Sequence, residues 1–182
     1  MKKSIILAVT SLIALCLFTF CAKENNRNEK EDNAPTGGHT YKIEIVGGKT
    51  YQGGVPKEVT GTYNPVAFVT LSEETGDKVL AGMLSETGKF QFGIGVALDG
   101  SNQPILPENG VGITFGEWGT EDKYGPAGPV NMTLKNYKEQ TISLYGEEGT
   151  IASYTLTFSG KFRLGSSGKT VDVTGEVRVA AP

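Results

Sequence analysis

The sequence predicts an all-β protein: a single small antiparallel β-barrel of about eight to nine strands, with a β-sandwich as the alternative. Three observations carry this. Apolar residues recur with a period of two, most plainly in KFQFGIGVAL, where Phe90, Phe92, Ile94, Val96 and Leu98 alternate with small or polar partners and so share one sheet face. Glycine makes up 25 of 182 residues, about twice the usual share. No segment holds a helical period: the nearest, LSEETGDK, is short and ends in a Thr-Gly turn, so at most one helical turn is expected there.

The first 21 residues, MKKSIILAVTSLIALCLFTFC, place Lys2 and Lys3 before an uncharged, mostly apolar run from Ser4 to Phe20. That is the pattern of an export signal. A transmembrane anchor is the competing reading, but the run barely matches a bilayer's width. Cys21, followed directly by the polar AKENNRNEKEDN, resembles the end of a bacterial lipoprotein signal. The resemblance implies that residues 1–21 form the signal and that Cys21 becomes the lipidated first residue of the mature chain. Phe20 stands where such signals usually carry a small residue; ordinary cleavage after Cys21 or Ala22, releasing a soluble periplasmic or secreted protein, is the alternative. Lys23-Glu24 resembles the charged tag that directs lipoproteins of Bacteroidota to the cell surface. The expected location is therefore the outer membrane, on its surface or periplasmic side, with the N-terminal lipid as the sole membrane contact.

Cys16, the other cysteine, falls within the signal, so the mature chain is expected to lack both disulfide and thiol nucleophile although disulfides are permitted outside the cytoplasm. The net charge of −3 becomes −5 once Lys2 and Lys3 are removed. With no basic cluster, this argues against nucleic acid as a partner.

Residues 22–39 carry charges of both signs, Pro35 and Gly37-Gly38 without apolar periodicity, and read as a flexible tether; His39 is expected there as an exposed linker residue. Residues 40–182 form the domain. Its candidate strands are YKIEIV, VAFVTL, KVLAGML, the Phe90–Leu98 segment, VGITF, VNMTL and TISLY. A hairpin then follows, with Tyr154, Leu156, Phe158, Phe162 and Leu164 on one arm and Val171, Val173, Val177 and Val179 on the other, across the turn GSSGK. SEETGDK, SETGK, KNYKE and GEEGT read as turns. Gly93, Gly95, Gly160 and Gly175 interrupt strand patterns, where a missing side chain marks a bulge or sharp bend.

Chemistry is sparse. The single histidine, His39, lies at the end of the tether and the domain has no cysteine, which rules out histidine-based triads and nitrogen- or sulfur-rich metal cages there. Neither cofactor nor metal is expected. Glu117, Glu121 and Asp122 cluster near Trp118, the single tryptophan, and suggest a glycan-binding platform with neighbouring acids; a solvated loop and a core or rim aromatic are the plainer expectations. Asp99-Gly100-Ser101-Asn102 offers oxygen ligands but lacks the spacing of a calcium loop, and Asp-Gly is a turn signal. The glycines of GVGITFGEWG do not lead from a strand into a helix, as phosphate-binding loops require. What remains is a non-enzymatic protein that acts by binding.

The binding element is sought in SNQPILPENG. Pro104 biases Gln103 toward extended geometry and Pro107 does the same to Leu106, so Ile105 and Leu106 are held extended before any partner arrives. A pre-extended chain loses less entropy on binding, and proteases bind substrates as extended strands. Residues Gln103, Pro104, Ile105, Leu106 and Pro107 are thus the candidate protease-binding loop. In the competing reading Ile105 and Leu106 turn inward and plug the barrel. YGPAGPVN is expected as a second rim loop or a long connection.

An exported lipoprotein with a short tether and one small β-barrel, spanning Met1 to Pro182 and lacking catalytic residues, resembles the potempins, lipoprotein protease inhibitors of oral Bacteroidota. The resemblance lies in layout. It implies an inhibitor that protects the cell envelope from a secreted protease, with Ile105 or Leu106 suited to a metalloprotease that prefers Leu or Ile after the scissile bond. A carbohydrate or envelope-component binding module using Trp118, and an accessory subunit of an outer-membrane complex, are the alternatives.

Overall fold

The computed structural model describes residues 37–105, 112–144, 146–165 and 167–182. The expected signal, Cys21 and most of the expected tether lie outside the described residues, as do Leu106 and Pro107. Among the described residues the chain is all-β without a helix. Its strands are β1 (His39–Ile45), β2 (Thr50–Val55), β3 (Glu58–Val59), β4 (Thr62–Tyr63), β5 (Ala67–Leu71), β6 (Lys78–Glu86), β7 (Phe90–Leu98), β8 (Pro104–Ile105), β9 (Ile113–Glu117), β10 (Tyr124–Leu144), β11 (Glu147–Leu164) and β12 (Thr170–Val179).

Six strands close a barrel in the order β5-β6-β7-β9-β10-β11, and β11 returns to β5 through Thr150 opposite Val69 and Ile151 opposite Phe68. Closure removes the free edges that an open sheet would expose. The barrel, rather than the sandwich, is therefore the architecture. β11 is long enough to serve two neighbours. Near its start it meets β5, and from Tyr154 to Arg163 it pairs with β12, which carries β1 and β2 onward.

The expected alternation is realised residue by residue. Along β7 every second side chain from Phe90 to Leu98 is buried, and β11 buries Tyr154, Leu156, Phe158 and Phe162. These side chains meet in an aromatic core. Tyr41 stacks on Phe90 at 4.0 Å between ring centroids, Phe115 stacks on Tyr124 at 5.1 Å, and Phe158 lies 5.8 Å from Phe162. Two of the strand glycines exist for close approach. A Cβ on Gly160 would come within 2.9 Å of the Pro129 carbonyl oxygen, and one on Gly175 would fall on the ring of Phe158.

Four expectations are corrected. GEEGT is not a turn as a whole, since β11 begins at Glu147 and pairs from there with β10. KNYKE is not a turn: the chain runs through it as β10, and a register shift between Lys135 and Lys138 absorbs the irregularity, with Asn136 at φ 55°. A bulge admits one left-handed residue without ending the strand. YGPAGPVN is not a rim loop, since β10 already begins at Tyr124 and carries a second shift between Pro126 and Val130. His39 is not an exposed linker residue. It opens β1 and is fully buried, because its ring nitrogens satisfy two backbone groups of the fold: Ala180 N–H donates to Nδ1 at 3.1 Å, and Nε2 lies 3.0 Å from the Asn64 carbonyl oxygen.

Candidate functional site

The Asp99–Ile105 segment leaves the end of β7 through a tightly bonded turn. The Asp99 carboxylate accepts from the N–H groups of Ser101 (2.7 Å) and Gln103 (2.9 Å), while Asp99 N–H donates to the Gln103 carbonyl and Asn102 N–H to that of Asp99. The turn uses that carboxylate for its own backbone, which is the behaviour expected of Asp in a turn. Asn102 takes the left-handed conformation, φ 57°, which Asn tolerates.

From there the chain doubles back against β7. Pro104 pairs with Leu98 and Ile105 with Ala97, so both are extended. Ile105 remains 45 % exposed. Ile105 is therefore not an inward plug, and Leu106 lies outside the described residues. Further along the sequence β9 pairs with the same strand, where Ile113 opposes Ile94 and the Gly112 carbonyl accepts from Gly95 N–H. Ile105 thus ends the Asp99–Ile105 stem, paired with the same strand that β9 meets further along.

Gln103 holds that stem in place. Its side-chain Nε2 donates to the Leu134 carbonyl at 3.2 Å and its Oε1 accepts from Leu134 N–H at 3.1 Å. A primary amide presents one donor and one acceptor side by side, so this side chain reproduces a strand-to-strand pair between the stem and β10. Sequence reasoning placed Gln103 in the loop but missed this role, because its partner is 31 residues away.

The second candidate region is built at the other end. Phe90 opposes Glu117 and Ala97 opposes Ile105. These levels are seven residues apart along β7, about 24 Å at the usual antiparallel rise. The structure does not bring the two regions together. Trp118 is 46 % exposed at the tip of the β9–β10 turn, where Gly119 takes φ +74°. Glu117 is engaged by a cation: Lys49 Nζ donates to it at 2.7 Å, and that bond holds its pKa below the usual carboxylate value. Lys123 Nζ donates to the Glu117 carbonyl, and Thr120 Oγ1 to the carbonyls of Glu117 and Asp122. Glu121 and Asp122 are exposed. The turn is organised by lysine and threonine, with the acids at its surface. Among the described residues no three His, Cys, Asp or Glu side chains converge as metal ligands would.

No family model, curated protein or solved structure matches the chain.

Proposed function

We propose that this chain acts by binding, as an envelope lipoprotein anchored through Cys21, and that its partner is a secreted protease engaged by the Gln103–Pro107 segment that follows β7. The single observation that carries this reading is Ile105: an aliphatic side chain held in extended backbone by pairing to β7, yet turned to solvent. An extended, pre-ordered segment is the form in which a protease cleft receives substrate, and ordering it beforehand lowers the entropic cost of association. The Asp99 turn and the Gln103 amide supply that order. The layout shared with the potempins favours the same partner class.

The test is inhibition of secreted metalloproteases by the wild-type chain and by Ile105→Asp, with thermal melting as the control for folding. Burial of an isoleucine side chain contributes about 1.5–3 kcal/mol, so inhibition should weaken by roughly 10- to 100-fold while melting stays unchanged. Equal inhibition by both proteins would remove Ile105 from the interface. Failure of the wild type to inhibit any protease captured from secreted or envelope fractions would remove the function itself.

A further inference from the structure

The β3–β4 hairpin forms a two-stranded sheet of its own, outside the main sheet. Its ties to the barrel end converge on His39 and the C-terminal residues. Tyr63 Oη donates to the Ala180 carbonyl at 2.9 Å, Lys57 Nζ lies 3.5 Å from the Ala181 carbonyl, and Asn64 N–H donates to the Lys57 carbonyl at 2.7 Å. At the centre, Ala180 N–H points at His39 Nδ1, so that nitrogen carries the lone pair and the ring proton sits on Nε2, which donates to the Asn64 carbonyl. The imidazole is fully buried and meets Tyr63 edge-on at 6.0 Å.

We infer that His39 is an acid-released clasp: a proton on Nδ1 detaches Ala180 and frees residues 180–182 from the barrel end, while Nε2 keeps its bond to the Asn64 carbonyl. A protonated imidazole has two donors and no acceptor, so Ala180 N–H would then face another N–H. The charge acting on the ring comes from Lys57 on the β2–β3 connection and has the same sign as the new one. Tyr63 on β4, with Tyr137 on β10 and Tyr154 on β11 beside it, has its pKa raised by burial and stays neutral across this range. Burial, the largest cause, pushes the His39 pKa below 6.5, only partly opposed by the Asn64 hydrogen bond. The sign follows. The unfolded or opened chain binds the proton more readily, so the clasp is fully closed above pH 6.5 and loosens as the pH falls below it.

His39 is the only histidine, so its imidazole resonances are unambiguous. NMR of the full-length chain in mild detergent, from pH 7.5 to pH 4.5, should show the Nε2–H tautomer at the upper end and a titration midpoint below 6.5. Amide-exchange protection at Ala180, corrected for intrinsic rates, should drop about tenfold per pH unit beneath the onset, while Leu156 and Val177 keep theirs. His39→Gln should make the Ala180 protection independent of pH; should that variant not fold, the wild-type titration decides alone. Protection at Ala180 that holds at pH 4.5, or that is lost together with Leu156 and Val177, would overturn the clasp.

Discussion

Replacing Gly175 with alanine tests the packing logic of the barrel most directly. Gly175 on β12 is the register partner of Phe158 on β11, and the Phe158 ring occupies the space a methyl group would need, with Cε2 2.9 Å from the added Cβ and two further ring atoms nearer still. The ring has little room to move, since Phe162 lies 5.8 Å away, Phe92 6.1 Å and Phe115 6.4 Å. Overpacking a filled core costs about 1–3 kcal/mol, and a site enclosed on three sides belongs near the top of that range. Against it stands about 0.5–1 kcal/mol gained by removing a glycine from a strand. Gly175→Ala should therefore destabilise by about 2 kcal/mol, and Phe158→Ala, which empties the same space, by about 3–5 kcal/mol. In the double variant the new methyl group enters the space the ring has left, so the two losses should fall short of additivity by more than about 1 kcal/mol. Urea denaturation followed by far-ultraviolet circular dichroism, at unchanged m value, measures all four corners of the cycle. An alanine at 175 tolerated within about 0.5 kcal/mol, or a strictly additive cycle, would refute the reasoning.

Two further outcomes follow from backbone groups that depend on one side chain. Gln103→Ala removes both bonds to Leu134, which should cost about 1–3 kcal/mol and hasten limited proteolysis within residues 99–105; peptide mapping of the nicked chain locates the cut. Asn136→Val forces a β-branched residue into the left-handed region at the β10 bulge, at about 1–2 kcal/mol, read from the shift in the urea midpoint; a variant as stable as wild type would show that the strand runs through 136 without that bend.

Much of the fold was legible because a half-buried strand writes its burial into alternate residues. Phe90 to Leu98 and the Tyr154–Val179 hairpin were readable in this way. β2 was not, since Gln52-Gly53-Gly54 has too few side chains to alternate, and its place is decided by the facing residues of β1. KNYKE has the composition of a turn, and only its pairing with β11 reveals a bulge. At Ile105 extended geometry is supplied by pairing with Ala97. The side chain's exposure and the amide that anchors its stem came from partners far along the chain.

The amino-acid order alone therefore determined the all-β class and the core-facing residues of its clearest strands, because these depend on neighbours within a few positions. Tertiary structure alone decided the closure of the barrel through β5 and β11, the place of Phe158 over Gly175, the pairing of Gln103 with Leu134 and the burial of His39 between Asn64 and Ala180. Each of these joins groups 17 to 141 residues apart. Hydrogen-bonding capacity and side-chain volume are properties of a residue, but whether they are satisfied depends on what the folded chain brings within about 3–4 Å.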